Sequence, residues 1–383
     1  MEVHSYPPGR LAAIRIRTYC REYSIEMDHL PDSLLLRIFG ELEFKDICIC
    51  SSVCRRWRRV SSDWSLRQVI DVTSQPLSIP KALSLVRQYA GTRLVQLRIT
   101  AAIRDESSFS DRTQVLTVLT FRHLRDHCPN LKVLQLTGTI MTEADTSLAS
   151  SVLDLPAGLT ELSFRKSFFY PNMFFQDQPG HFVARSLRLL DLTSAVFLLR
   201  FHLGSSDQFP SLRALILEGC YPLYEKSLDA LTPLIVNLVL LDVERTPVGN
   251  RGVETVLLHG ANLRYLFVGN TVFDGEAFET VWRLPVGGRH RTLRLTHVCL
   301  RCTPIKACHL PTLLRMTPRL QWLAAAGIYI SESVRKSIQQ LVPSSCRYLE
   351  LIPFQTDSTA LCKQHVTSHI RKANLDVTPD HNC

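Results

Sequence analysis

The sequence predicts an α/β chain in two parts: a small three-helix unit, then a solenoid with a curved parallel sheet inside and helices outside. Three observations carry this. A unit of leucine, two residues, leucine, one residue and an aliphatic recurs from Leu94 onward at a nearly constant interval. Ahead of it, Leu30 to Leu66 is apolar on more than one helical face. Prolines stand just before many of the recurring units (Pro129, Pro156, Pro210, Pro318), where they end a helix.

Taken in order, residues 1–26 are expected to be a disordered leader. Arg10 to Arg21 is rich in arginine and poor in acids, a weak similarity to a mitochondrial presequence, and Met27 is an alternative start. Next, Pro31 and Asp32-Ser33 read as a helix start, with proline in the first turn and a polar cap candidate beside it. Leu34, Leu35, Leu36, Ile38, Phe39 and Leu42 follow, too many apolar residues for one stripe. A second helix is expected from about Lys45-Asp46, carrying Ile47, Ile49, Val53, Cys54, Trp57 and Val60. In so small a unit, placed at 27–70, one face serves its own core and another a partner. Residues 71–93 read as a helical connector interrupted by Pro76 and Pro80.

The repeat runs as LVQLRI at Leu94, LKVLQL at Leu131, LTELSF at Leu159 and LRLLDL at Leu187. It continues as LRALIL at Leu212, LVLLDV at Leu238 and LRYLFV at Leu263. Weaker copies start at His290 (HRTLRL), Leu320 (LQWLAA) and Cys346 (CRYLEL). From Leu131 the steps are 28, 28, 25, 26 and 25 residues, which fits the leucine-rich repeat of about 20–29. Alternation such as Leu134-Gln135-Leu136 has period two and predicts a strand with leucines inward. Weaker apolar runs such as Val253-Val256-Leu257 predict outer helices. One unit cannot bury its leucines; stacking does, at about 1.5–3 kcal/mol per fully buried leucine. The array is placed at 94–352, with a cap and tail at 353–383 whose helix is expected near 359–373. Residues 101–112 are expected as a polar loop. The aromatic run Phe168 to Phe175 is either a surface anchor or core filler, and burial is the commoner use. The residues expected to face outward from the strands are Gln135, Ser163, Asp191, Asp242, Phe267, Arg294 and Trp322. Phe267 and Trp322 are the candidate anchors for a partner, with Trp322 packed against the tail cap as the other reading.

Composition bounds the function. The chain has 383 residues, 45% hydrophobic and 21% charged, with net charge +9. That charge is spread along the chain, so it suits an acidic partner without pointing to nucleic acid. No apolar run approaches a membrane span; the longest, Leu231 to Val243, is broken by Pro233, Asn237 and Asp242. Without a signal-peptide pattern, the twelve cysteines are expected as thiols in a reducing cytoplasmic or nuclear setting, most of them buried as small hydrophobes. No phosphate-binding glycine loop, dinucleotide fingerprint, zinc-protease or nucleophile-elbow motif is present. His297, Cys299, Cys302, Cys308 and His309 include a C-x-x-C, but no second pair at finger spacing, so buried or loop cysteines are expected, with no metal and no cofactor. The basic cluster Arg55-Arg56-Trp57-Arg58-Arg59 is expected as a solvated helix face rather than a nuclear address.

The stretch from Leu30 resembles the F-box. The matching residues are Leu30-Pro31, Leu34-Leu35, Ile38-Phe39, Leu42, Asp46, Val53-Cys54, Arg55-Arg56 and Trp57. The family usually closes on leucine-tryptophan; here Trp64 precedes Leu66. With the repeats, the chain resembles the F-box/leucine-rich-repeat family. That resemblance implies a non-catalytic substrate receptor of an SCF-type ubiquitin ligase. Its F-box would dock a Skp-type adaptor, and through it the cullin and RING protein, while its repeats hold an unidentified protein substrate. Carried over by position, the docking residues are Leu30, Pro31, Leu34, Leu35, Ile38, Phe39, Leu42, Val53, Cys54 and Trp57. The alternative is a ligase-independent repeat scaffold that binds another protein or RNA.

Overall fold

The structure, a computed structural model, describes residues 30–89, 91–101, 116–141, 151–175, 185–197, 203, 209–284, 290–328 and 330–351. The expected leader, the polar loop beyond residue 101 and the capping helix near 359–373 lie outside the described residues. Two compact units divide between Ile70 and Asp71.

The first unit comprises α1 (Asp32–Gly40), α2 (Phe44–Cys50), α3 (Arg55–Ser61) and a 3-10 turn, Trp64–Arg67. The single helix expected from Lys45 is therefore two. The hydroxyls of Ser51 and Ser52 turn back onto the carbonyls of Cys48 and Ile49, at 2.6 and 2.7 Å. Such local bonds compete with helix propagation. Cys54 is extended, and its sulfur accepts the Trp57 N–H at 3.4 Å, which starts α3. Leu35, Phe39, Ile47, Val60 and Leu66 form the core, with Leu30, Leu36, Leu42, Cys50 and Trp57 packed against it.

In the second unit an eleven-stranded sheet runs in the order β1-β2-β3-β5-β7-β9-β10-β11-β12-β13-β14. Its strands are β1 (Val69–Leu77), β2 (Gln96–Ala101), β3 (Val133–Thr137), β5 (Glu161–Ser163), β7 (Leu189–Asp191) and β9 (Ala214–Ile216). β10 (Leu240–Asp242), β11 (Tyr265–Phe267), β12 (His297–Cys299), β13 (Trp322–Ala324) and β14 (Tyr348–Glu350) complete it. From β2 to β14 neighbours pair parallel. Two expectations change. The connector at 71–93 is not all helix: β1 occupies its first half and α4 (Ile79–Tyr89) its second. Pro76 is tolerated because β1 is the edge strand, and Pro80 falls in the first turn of α4, where no N–H partner is missed. The copy read at His290 is shifted: the strand is His297–Cys299, so the repeat reads LTHVCL from Leu295.

The inward row, Leu97, Ile99 and Leu136 among it, lines one pocket with Ile79, Ala82 and Val86 of α4 and with Thr120 and Leu124 of α5 (Val118–His127). Four residues past each central aliphatic of the strands from β3 to β13, the chain turns through a left-handed residue. These are Gly138, Lys166, Ser194, Gly219, Arg245, Asn270, Cys302 and Gly327, with φ between 53° and 88°. At six of the eight the next position carries a hydroxyl or thiol, Thr139, Ser167, Cys220, Thr246, Thr271 or Thr303, all buried; Ala195 and Ile328 stand at the other two. Their hydroxyls or thiol donate to backbone carbonyls or share a bond, as Thr246 does to Val243 and Cys220 to Leu192 at 2.5 and 2.8 Å. After three of the turns a second, three-stranded sheet forms from β4 (Ile140–Met141), β6 (Phe168–Phe169) and β8 (Val196–Phe197).

The aromatic run is core filler. Phe169, Phe174 and Phe175 are buried and meet Phe121, Phe164, Phe197 and Phe209 edge to face at centroid distances of 5.2 to 6.0 Å. Phe169→Ala is expected to destabilise the repeat unit by about 3–5 kcal/mol, read as a shifted urea midpoint.

Candidate docking surfaces

The first unit closes its core and still leaves large apolar groups in solvent. Leu34 and Ile38, four residues apart on α1, are each 42% exposed. Ile49 and Val53, also four apart, are 63% and 60% exposed. Of the expected docking residues, Pro31, Leu34, Ile38, Val53 and Cys54 are exposed, and Leu30, Leu42 and Trp57 are half-buried. Leu35 and Phe39 are corrections: both sit inside the core, at 0% and 1% exposure, because each is turned about 100° around α1 from its neighbour Leu34 or Ile38. Ile49, at the end of α2, was not among the motif residues, and Val53 lies in the turn after that helix. Trp57 meets Phe39 edge to face at 5.2 Å. Asp32 clamps α3 to α1 through Arg56 (2.8 Å) and Arg59 (2.6 Å), and those two guanidiniums hold its carboxyl below the usual range. The basic cluster is thus partly a structural clamp, with Arg55 and Arg58 exposed.

On the face of the repeat sheet turned away from α4 and α5, in-register pairing builds two rows. One runs Leu189, Ala214, Leu240, Tyr265, His297, Trp322, Tyr348; the other runs Asp191, Ile216, Asp242, Phe267, Cys299, Ala324, Glu350. Most of these side chains pack into one apolar cluster. The outward set is corrected accordingly. Ser163, Asp191, Asp242, Phe267 and Trp322 are buried, the last two at 1% and 8% exposure, and Gln135 is half-buried. Residues two apart on one strand, and their equivalents on the next, stand close enough to cover one another. Arg294 is exposed but precedes β12 instead of lying on a strand, because of the shifted copy. Asp191 and Asp242 each accept the backbone N–H two residues on, at 3.0 Å, and so end their strands. Arg301 pairs with Glu350, its Nε donating to the carboxylate at 2.6 Å.

The five residues with ligand chemistry are not brought together. Cys299 packs in the apolar row, and Cys302 is a left-handed turn residue. Cys308 is exposed, and His309 Nδ1 stands 3.5 Å from Glu279. Among the described residues no group of His, Cys, Asp or Glu has metal-holding geometry, and no helix is long and apolar enough to cross a membrane. Burial pushes the Cys128 thiol up to about 11 and Cys220 higher still, which suits inert thiols.

His297 is stacked between Tyr265 (4.8 Å) and Trp322 (6.3 Å), and burial lowers its pKa to about 4. The neutral ring is the native form, while an unfolded histidine titrates near 6.5. The unfolded chain therefore binds the extra proton between those values. Its stabilisation is present above about pH 6.5 and is lost as pH falls toward 4. Thermal melts from pH 7 to pH 4.5 are expected to show this loss, and His297→Phe is expected to flatten it.

Residues 27–72 match the F-box-like family model. Among curated proteins, F-box/LRR-repeat protein 12 of Mus musculus is 30% identical over 202 residues, 52% of this chain and 58% of that protein. The Homo sapiens protein of the same name is 31% identical over 202 residues with the same coverage, and that of Bos taurus 28% over 200 residues. The match spans 58% of the length of these relatives. The F-box-like segment, the leucine-rich-repeat architecture that follows it and these relatives together support the F-box/leucine-rich-repeat family for this chain.

Proposed function

We infer that this chain is the substrate-receptor subunit of an SCF-type ubiquitin ligase. The observation that carries the reading is the exposure of Leu34, Ile38, Ile49 and Val53 on a helical unit whose core is already closed by Leu35, Phe39, Ile47, Val60 and Leu66. A unit this small gains nothing from displaying four large aliphatics to water; a partner helix surface removes them from it. The F-box-like match over 27–72 supports a Skp-type adaptor as that partner, which would link the chain in turn to a cullin and a RING protein. Receptors of this family are generally non-catalytic. Isopeptide formation belongs to the conjugating enzyme, and the receptor contributes proximity by holding a substrate's lysines at high local concentration. The repeat unit is the part available for that substrate, in a cytoplasmic or nuclear setting.

Co-purification of the full chain with the Skp-type adaptor tests this. Leu34→Ala with Ile38→Ala is expected to weaken adaptor binding at least ~10-fold, the scale of interface hot spots, with an unchanged melting curve. Phe39→Ala should instead act through folding, costing about 3–5 kcal/mol. A well-folded wild-type chain that recovers no adaptor, or a double variant that binds as well as wild type, contradicts the docking assignment. Trp57→Ala is expected to act through both routes, because its ring packs on Phe39 while half-exposed.

A further inference from the structure

The basic cluster of the first unit runs directly into two serines, in the order Arg58-Arg59-Val60-Ser61-Ser62-Asp63. The structure separates the two. Ser61 closes α3 and is buried at 4% exposure, its hydroxyl donating to the Arg58 carbonyl at 3.1 Å. Ser62 is exposed just beyond the helix, its hydroxyl on the same carbonyl at 2.7 Å. Arg59 and Arg58 stand three and four residues before Ser62, a spacing that puts side chains on one helical face. Both are exposed, Arg59 with 73% of its side chain in solvent. The helix has seven residues, and its end is where backbone opens at least cost.

We propose that Ser62 is a phosphorylation site for a protein kinase that reads arginine ahead of its acceptor, and that the phosphate loosens the clamp on α3. In the transfer, Ser62 Oγ bonds to the γ-phosphorus of ATP while the bond to the β–γ bridging oxygen breaks. ADP leaves, and the hydroxyl proton passes to the kinase's base. The charge pattern supplies the recognition: exposed guanidiniums at fixed distances before the acceptor suit a kinase groove with acidic pockets. Spacing alone admits either serine; burial of the Ser61 hydroxyl leaves Ser62.

The product conflicts with its surroundings at three points. A phosphate carrying a charge of about −1.5 to −2 stands at the C-terminal end of α3, beside the partial negative charge of the last carbonyls. Asp63 follows it in the chain and starts the 3-10 turn by accepting the Ser65 N–H at 2.8 Å and hydroxyl at 2.7 Å, so like charges meet there. Arg59, now 2.6 Å from Asp32, is offered a dianion three residues away in place of one carboxylate. Of its two partners on α3, Asp32 then keeps Arg56. Val60 of α3 and Leu66 of the 3-10 turn are core residues, so the disturbance reaches the core that carries Leu34 and Ile38. The inference rests on the receptor reading only in expecting adaptor binding to fall; the modification and the loosened helix belong to the first unit by themselves.

In the test, the full chain is incubated with ATP and a kinase selective for arginine three residues before the acceptor, and the phosphate is located by fragment mass spectrometry. Within the first unit, incorporation is expected at Ser62, to be absent from Ser61, and to disappear in Ser62→Ala. The purified phosphorylated chain is then compared with the unmodified one by hydrogen exchange and by binding to the Skp-type adaptor. The α3 amides are expected to exchange faster, and adaptor affinity to fall roughly 3–10-fold, the scale of a misplaced helix-end charge plus a lost ion pair. In Asp32→Asn, where Arg59 has no carboxylate to lose, the phosphate should have a smaller effect on α3 exchange. No phosphate in the first unit, phosphate on Ser61, unchanged exchange of α3, or an equal effect in Asp32→Asn each overturns the proposal. Adaptor bound equally by both forms removes this inference alone. Phosphate on Ser62 with faster α3 exchange, but no adaptor bound by either form, removes the receptor reading alone.

Discussion

The repeat unit depends on one interval. Four residues separate each central inward aliphatic of the strands from β3 to β13 from the left-handed residue that ends the turn, at Leu134 and Gly138 as at Leu323 and Gly327. Constancy of that distance lets successive strands pair in register without a bulge. Registration then stacks equivalent positions: aliphatics beside aliphatics, buried hydroxyls beside backbone carbonyls. No single repeat is stable by itself, and each contributes only to its neighbours. The first unit obeys a different constraint. It must close a core from a few short helices, and the Asp32 clamp on Arg56 and Arg59 fixes α3 against α1 while Phe39 and Trp57 fill the space between them.

Much of this was legible in the residues. The period of the leucines places the strands from β2 to β11 correctly because alternation on a pleated strand is a direct consequence of backbone geometry. The helical break at Ser51-Ser52 was harder, since the apolar pattern runs straight through it and only side-chain bonds to the backbone reveal it. β1 was hidden for another reason. Its proline suggested a connector, and an edge strand is where a sheet tolerates one.

The candidate sites divide along the same line. Ordered spacing identified the F-box-like segment, and the helical period then separates Leu34 and Ile38 from Leu35 and Phe39, a distinction that a motif alone does not make. For the repeat sheet, alternation tells which residues leave the leucine core but not whether they meet water. Phe267 and Trp322 leave that core and enter a second apolar layer made by their own neighbours. At five of the strands from β3 to β14 the residue before the strand is a lysine or an arginine, and no alternation rule draws attention to that position.

The left-handed turns have a consequence for how the chain tolerates change. Five of the eight are made by residues with a side chain, Lys166, Ser194, Arg245, Asn270 and Cys302, where an L-residue gives up roughly 1 kcal/mol relative to glycine, less for asparagine. The fold therefore holds unused margin at regular intervals along its length. A lineage or a designer can draw on these positions to offset a costly substitution elsewhere, without touching a leucine of the core.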